Sequence, residues 1–162
     1  MRLWHKDLIP VLPDKQLIGQ YRELCCIAKN IAEKGTPNHL LVNKVLNYPI
    51  IHFICYSDLV LNEMKNRNIK INEESYSNFA INCNKASVYF PALFNKDILI
   101  KNTEDIYSDW MDMRYFLQCY YNLEEKYDCG GIPVIVWNYI QELYDEKLID
   151  WREEIHKRKY AV

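Results

Sequence analysis

The sequence predicts an all-α protein, and three observations carry that expectation. Apolar residues recur at helical spacing in several long stretches, strand-like alternation is absent, and Gly-, Pro- and Asn-rich breaks separate the stretches. The clearest stretch runs from Asp14 to Lys34, where Leu17, Ile18, Tyr21, Leu24, Cys25, Ala28, Ile31 and Ala32 follow the i, i+3, i+4, i+7 pattern of an amphipathic helix. Asp14 is placed to cap its start and Gly35 to stop it. Arg22 and Glu23 fall at the margin of the apolar face, where a charged pair is ordinarily an exposed decoration.

Before that helix, residues 1–13 mix Trp4, Leu8, Ile9, Val11 and Leu12 with Pro10 and Pro13. The prolines disfavour a continuous helix, so a packed, irregular lead-in is expected. Gly35-Thr36-Pro37-Asn38 breaks the chain, and a short helix or turn follows from about His39 to Leu46. A long helix is predicted from Pro49 to Asn66, with Ile51, Ile54, Cys55, Leu59 and Met64 on one broad face and Lys65 and Arg67 at its basic end. Residues 68–101 are polar at first and then apolar around Pro91 (Val88 to Phe94), and read as a long connection with short helical turns. A helix from Thr103 to about Lys126 carries Ile106, Trp110, Met113, Phe116, Leu117, Tyr120 and Leu123, and Cys129-Gly130-Gly131 ends it. A last helix starts near Pro133, and the tail from Trp151 holds Arg152, His156, Lys157, Arg158 and Lys159.

A chain of 162 residues suits a single compact helical domain, 1–162, with residues from about 132 as a C-terminal extension. The formal net charge of -2 provides no global attraction to nucleic acid, so a DNA-binding surface would have to gather Lys and Arg locally. Six cysteines show no CxxC pair, which argues against zinc and, with no export signal in Met1-Arg2-Leu3-Trp4-His5, for reduced thiols in a cytoplasmic protein. No apolar run reaches membrane-spanning length, and no membrane partner is expected. The 13 tyrosines read mainly as half-buried core, Tyr120 and Tyr121 included, with Tyr21 packed in the core and its hydroxyl reaching toward Glu23. His5 and His52 read as structural histidines.

The run Asp14 to Leu24, ending in Tyr21-Arg22-Glu23-Leu24 some twenty residues behind Met1-Arg2, resembles the first helix of the pyrimidine-dimer DNA glycosylases, the phage endonuclease V family. His52 to Ile71, with Asn62-Glu63-Met64-Lys65-Asn66-Arg67, is similar to that family's second long helix and its basic end. The resemblance covers about residues 1–72. It implies an endonuclease V-like helical fold with no cofactor and no metal. It also implies a DNA repair activity on damaged double-stranded DNA, by a monomer, combining glycosylase and abasic-site lyase steps.

In that chemistry the terminal α-amine, here on Met1, attacks C1′ of the damaged sugar, and a helix carboxylate, here Glu23, assists formation and breakdown of the Schiff base. An α-amine suits the task because its reference pKa of about 7.7–8.0 leaves part of it neutral and nucleophilic near pH 7. Arg2 and Arg22 would hold flanking phosphates, with Lys15 and Lys29 adding local charge. Two positions depart from the family's pattern: Gln16 replaces a histidine and Cys26 an arginine. Lys15, Lys29 and Lys34 could replace some of that charge, and Lys44, Lys65 and Arg67 lie near the predicted helix ends. The alternative is a non-enzymatic helical module that binds nucleic acid or protein on the same scaffold.

Overall fold

The computed structural model describes residues 2–91 and 100–160, with side chains to residue 157. Its elements are helices joined by 3-10 turns, and no strand occurs among the described residues. Helix α1 (Asp14–Lys34) buries Leu17, Gln20, Tyr21, Leu24, Ile27, Ala28 and Ile31. It ends as expected at Gly35, whose left-handed φ of 70° lets its N–H reach the Ile31 carbonyl at 2.8 Å. Its start differs by one position. Pro13 is the cap residue and makes no side-chain cap bond, whereas Asp14 lies inside the first turn and pairs with Arg67 at 3.0 Å.

The lead-in packs as a 3-10 helix (Lys6–Val11), with Leu3, Trp4, Leu8, Ile9 and Leu12 buried. Two cations fasten it. The buried Lys6 donates from Nζ to the carbonyls of Glu104 (2.6 Å) and Ile106 (2.9 Å), and burial pulls its pKa down. Arg67 donates to the Pro10 carbonyl at 2.7 Å and to the Leu12 carbonyl, while its Nε meets Glu63 at 2.7 Å. Arg67 therefore satisfies the carbonyls at the end of the 3-10 helix.

Helix α2 (Ile50–Asn66) packs against α1 and the lead-in. Its buried face carries Phe53, Tyr56, Ser57, Val60, Leu61 and Met64, with His52 beside them. That face is rotated from the predicted one, since Ile54 is exposed and Ile51, Cys55 and Leu59 are half-buried. The helix is apolar on most sides, so spacing alone leaves the inward direction open. Phe53 and Tyr56, the bulkiest groups, decide it.

The reading of residues 68–101 as a connection is corrected by α3 (Glu73–Ala86), which packs extensively on α1. Asn72 caps it by accepting from the Ser75 N–H at 2.8 Å. Its buried stripe is only Phe79, Cys83 and Ala86, set in a helix rich in Asn and Ser, which weakens the periodic signal. The apolar run around Ala92, Leu93 and Phe94 lies outside the described residues.

The next helix also starts later than predicted. Thr103–Asp105 is a separate 3-10 turn, Tyr107 sits at a positive φ of 49°, and α4 runs Met113–Asp128 from an Asp112 cap that accepts from the Tyr115 N–H at 2.8 Å. Helix α5 (Val134–Tyr160) takes in the tail from Trp151 as continuous helix. It packs on α4 through Trp137, Ile140 and Tyr144, the last stacked on the buried Tyr120 at 4.0 Å between ring centroids. Tyr120 is core, as expected, but Tyr121 is exposed. Buried residues from Leu3 to Ile140 form one contiguous cluster, and the 3-10 helix of the lead-in packs on α2 and α5.

Candidate active site on the first helix

Three side chains follow one another along α1 at i, i+4 and i+7: Gln16, Gln20 and Glu23. Gln20 and Glu23 face the lead-in, Gln16 lines a cleft beside Gly130 and Gly131, and Glu23 at the end of the row is half-buried. Glu23 Oε2 accepts the backbone N–H of Arg2 at 2.9 Å, across 21 residues of sequence. The Arg2 guanidinium donates to the Gln118 carbonyl of α4 at 3.1 Å and lies 5.9 Å from the Trp4 ring centroid, a cation–π placement. Two of the expected site residues, Arg2 and Glu23, are thus in direct contact, while Met1 lies outside the described residues.

The other expected cations form a second row. Lys15, Arg22 and Lys29 follow at intervals of seven residues, so they fall on one side of α1 with about 10 Å between successive members. All three are exposed, and Cys26 between the last two is exposed as well. At Gly19, between the first two, a Cβ would meet nothing within 4 Å, so the helix backbone is open to close approach there. Lys15 lines a cleft of about 420 Å³ with Gln16, Gly130 and Gly131. Lys29 sits 3.9 Å from Glu33 and lines a groove against α3. Glu23 is one residue from Arg22, so its carboxylate lies where the open cationic row meets the covered side facing the lead-in.

Beneath this corner are groups that spacing did not single out. Gln20, 1% exposed, accepts the Trp4 N–H at 2.7 Å and lies 3.1 Å from the Tyr56 hydroxyl. Tyr56, fully buried, donates to the Trp4 carbonyl at 2.7 Å, and the Tyr115 hydroxyl donates to the Leu3 carbonyl. Burial holds the Tyr56 and Tyr115 phenols well above their usual pKa and also raises the Cys119 thiol. The signal for Gln20 was in the sequence: a polar residue three after Leu17 and four before Leu24 must sit in the apolar stripe, where it needs a partner. Tyr56 and Tyr115 gave no comparable signal among 13 tyrosines.

Other candidates fall away from the corner. Tyr21 is buried, but its hydroxyl points to Ser75 of α3 at 3.4 Å rather than toward Glu23. His5 accepts the Asp7 N–H at Nδ1 and donates from Nε2 to the Met111 carbonyl at 2.8 Å, a neutral structural histidine as expected. His52 accepts the Tyr107 N–H at 3.0 Å and is structural too. Lys44 lies over the Trp110 ring at 5.5 Å, away from Glu23. Among the described residues no group of three or more His, Cys, Asp and Glu could hold a metal, and no helix is long and apolar enough to cross a membrane.

The geometry defines a helical protein in which an N-terminal segment is laid along a helix-borne carboxylate at the edge of an open cationic row. A family model described as pyrimidine dimer DNA glycosylase matches residues 1–77, the part of the chain that carries the Tyr21-Arg22-Glu23-Leu24 run. The match ends within α3, so α4 and α5 lie beyond it. No curated protein and no solved structure matched the chain.

Proposed function

We propose that this protein is a DNA repair glycosylase of the pyrimidine-dimer type, acting as a monomer on damaged double-stranded DNA, with abasic-site lyase activity through a terminal imine. The observation that carries the reading is the 2.9 Å hydrogen bond from the Arg2 N–H to Glu23, on a segment that matches the family. A residue joined to Arg2 by a peptide bond has its own nitrogen within about 4 Å of that of Arg2. With Met1 as the terminal residue, this supports its amine as the group that works with the same carboxylate.

The chemistry then runs in balanced steps. The neutral Met1 amine attacks C1′ of an extruded nucleotide, the C1′–N bond breaks, and the base leaves with the bonding pair and takes up a proton. The nitrogen gives up one proton to the leaving base and one to O4′ as the C1′–O4′ bond breaks, giving an imine between the terminal nitrogen and C1′. Glu23 stabilises the cationic forms on this path and, as carboxylate, removes a C2′ proton; the electrons expel the 3′ phosphate in a β-elimination. Water hydrolyses the imine and restores the amine. Arg2 and Arg22 flank the carboxylate and neutralise the neighbouring phosphates, with Lys15 and Lys29 continuing the contact along α1. The row supplies local attraction that the net charge of -2 does not.

Strand cleavage tests the reading on duplexes carrying an abasic site and on UV-irradiated duplexes. The wild type is expected to cleave both. Glu23→Gln is expected to lose at least about 100-fold in cleavage rate while binding within about threefold of wild type. Arg22→Ala is expected to weaken binding and to lower the slope of log affinity against log salt by about one phosphate contact. A wild type that binds damaged duplexes and cleaves neither would leave a binding module.

A further inference from the structure

We infer that Gln20, Tyr56 and Tyr115 are positioning residues for the terminal amine, because they fasten the peptide groups next to Arg2 to three separate helices. The inference rests on the function proposed above. The chain from Arg2 to Trp4 has no strand partner and runs into the core, with Leu3 and Trp4 buried. Buried backbone N–H and C=O groups need partners, and here side chains supply them. Along the segment Arg2 N–H goes to Glu23 and Trp4 N–H to Gln20, both on α1; Trp4 C=O receives the Tyr56 hydroxyl from α2, and Leu3 C=O receives the Tyr115 hydroxyl from α4.

Packing alone does not explain these choices. Phenylalanine at 56 and leucine at 20 would fill the same space in an apolar core without the cost of burying a hydroxyl and an amide. Gln20 even buries an Nε2 with no partner among the described residues, so what the position requires is its acceptor oxygen, turned to the Trp4 N–H. Both phenols remain protonated donors across the working range because burial keeps their pKa high. The two atoms nearest the proposed chemistry, Arg2 N and Glu23 Oε2, therefore owe their separation to bonds made one and two residues further along. Tyr115 lies outside the family-matched residues, so the second half of the chain contributes to holding a site placed in the first.

The experiment compares Tyr56→Phe, Tyr115→Phe and Gln20→Leu with wild type in three readouts: single-turnover borohydride trapping on an abasic-site duplex, affinity for the same duplex, and amide hydrogen exchange at Arg2 and Trp4. Tyr115→Phe, at a half-buried position, keeps the test usable if the fully buried positions compromise folding. Trapping is expected to slow about tenfold or more, since a misplacement of about 1 Å can cost 100-fold. Affinity should stay within twofold, and exchange protection at Arg2 and Trp4 should fall. A loss confined to thermal stability, with trapping within twofold of wild type, overturns the inference while leaving the proposed function in place. A wild type that does not trap removes the proposed function, and this inference with it; lost protection at Arg2 and Trp4 would then mark the contacts as purely structural.

Discussion

The two ends of the chain are held in opposite ways. Residues 2–12 enter the core as an irregular stretch followed by a short 3-10 helix, and polar groups at its two ends are fastened one by one by Glu23, Gln20, Tyr56, Tyr115 and Arg67. Residues 149–157 continue α5, and every one of them is exposed. A helix satisfies its own backbone and can extend past its packing partners, whereas an irregular segment can be buried only where side chains meet its peptide groups. Specific side-chain identity is therefore concentrated at the front of the molecule, and the chemistry proposed for it lies there too.

Replacing Arg67 presses hardest on this contrast. Arg67→Ala leaves the Pro10 and Leu12 carbonyls and two carboxylates without their donor, and is expected to cost about 3 kcal/mol, read as a drop of roughly 6–12 °C in Tm. A change under 2 °C would mean that the lead-in is held by its apolar packing alone.

Acid should also act through the front of the chain. His5 and His52 are buried with pKa lowered, chiefly by desolvation, and each already accepts a backbone N–H at Nδ1. The unfolded chain takes up these protons near pH 6.5 and the folded one only at lower pH. The stability they protect is present above that value and is lost as pH falls through the lowered ones. Thermal unfolding from pH 7.5 to 5 should show Tm falling, with at most about 1.4 kcal/mol per pH unit from each histidine. His5→Gln should flatten that fall; an unchanged slope would free His5 from the role.

The opposite end supplies the smallest effect. Ile155→Ser, at an exposed position of α5, is expected to shift stability by no more than about 0.5 kcal/mol. A larger loss would show that this part of α5 is covered in solution.

The same contrast explains what could be read from the residues. Helix α1 was legible nearly to the residue because Leu17, Tyr21, Leu24, Ala28 and Ile31 make a wide stripe between two clear breaks. Helix α3 was missed because three buried residues among many Asn and Ser give little periodic signal, and α2 was turned because it is apolar on most sides. At the site, Glu23 and Arg2 came from resemblance, whereas Gln20 was missed although its polarity within the apolar stripe marked it. The partners of the lead-in lie 52 and 112 residues away along the chain, a pairing only the fold creates. Arg67 read only as a basic residue at a helix end because its acceptors are main-chain carbonyls, which sequence does not display.

The central claim, a terminal amine working against Glu23, is tested most directly by borohydride trapping on an abasic-site duplex, with the intact mass of the protein confirming that Met1 is present and free. The account predicts a covalent adduct mapped to the Met1 nitrogen, abolished by acetylation of that amine and formed far more slowly by Glu23→Gln. An adduct on a lysine, or none with a free terminus, would contradict it.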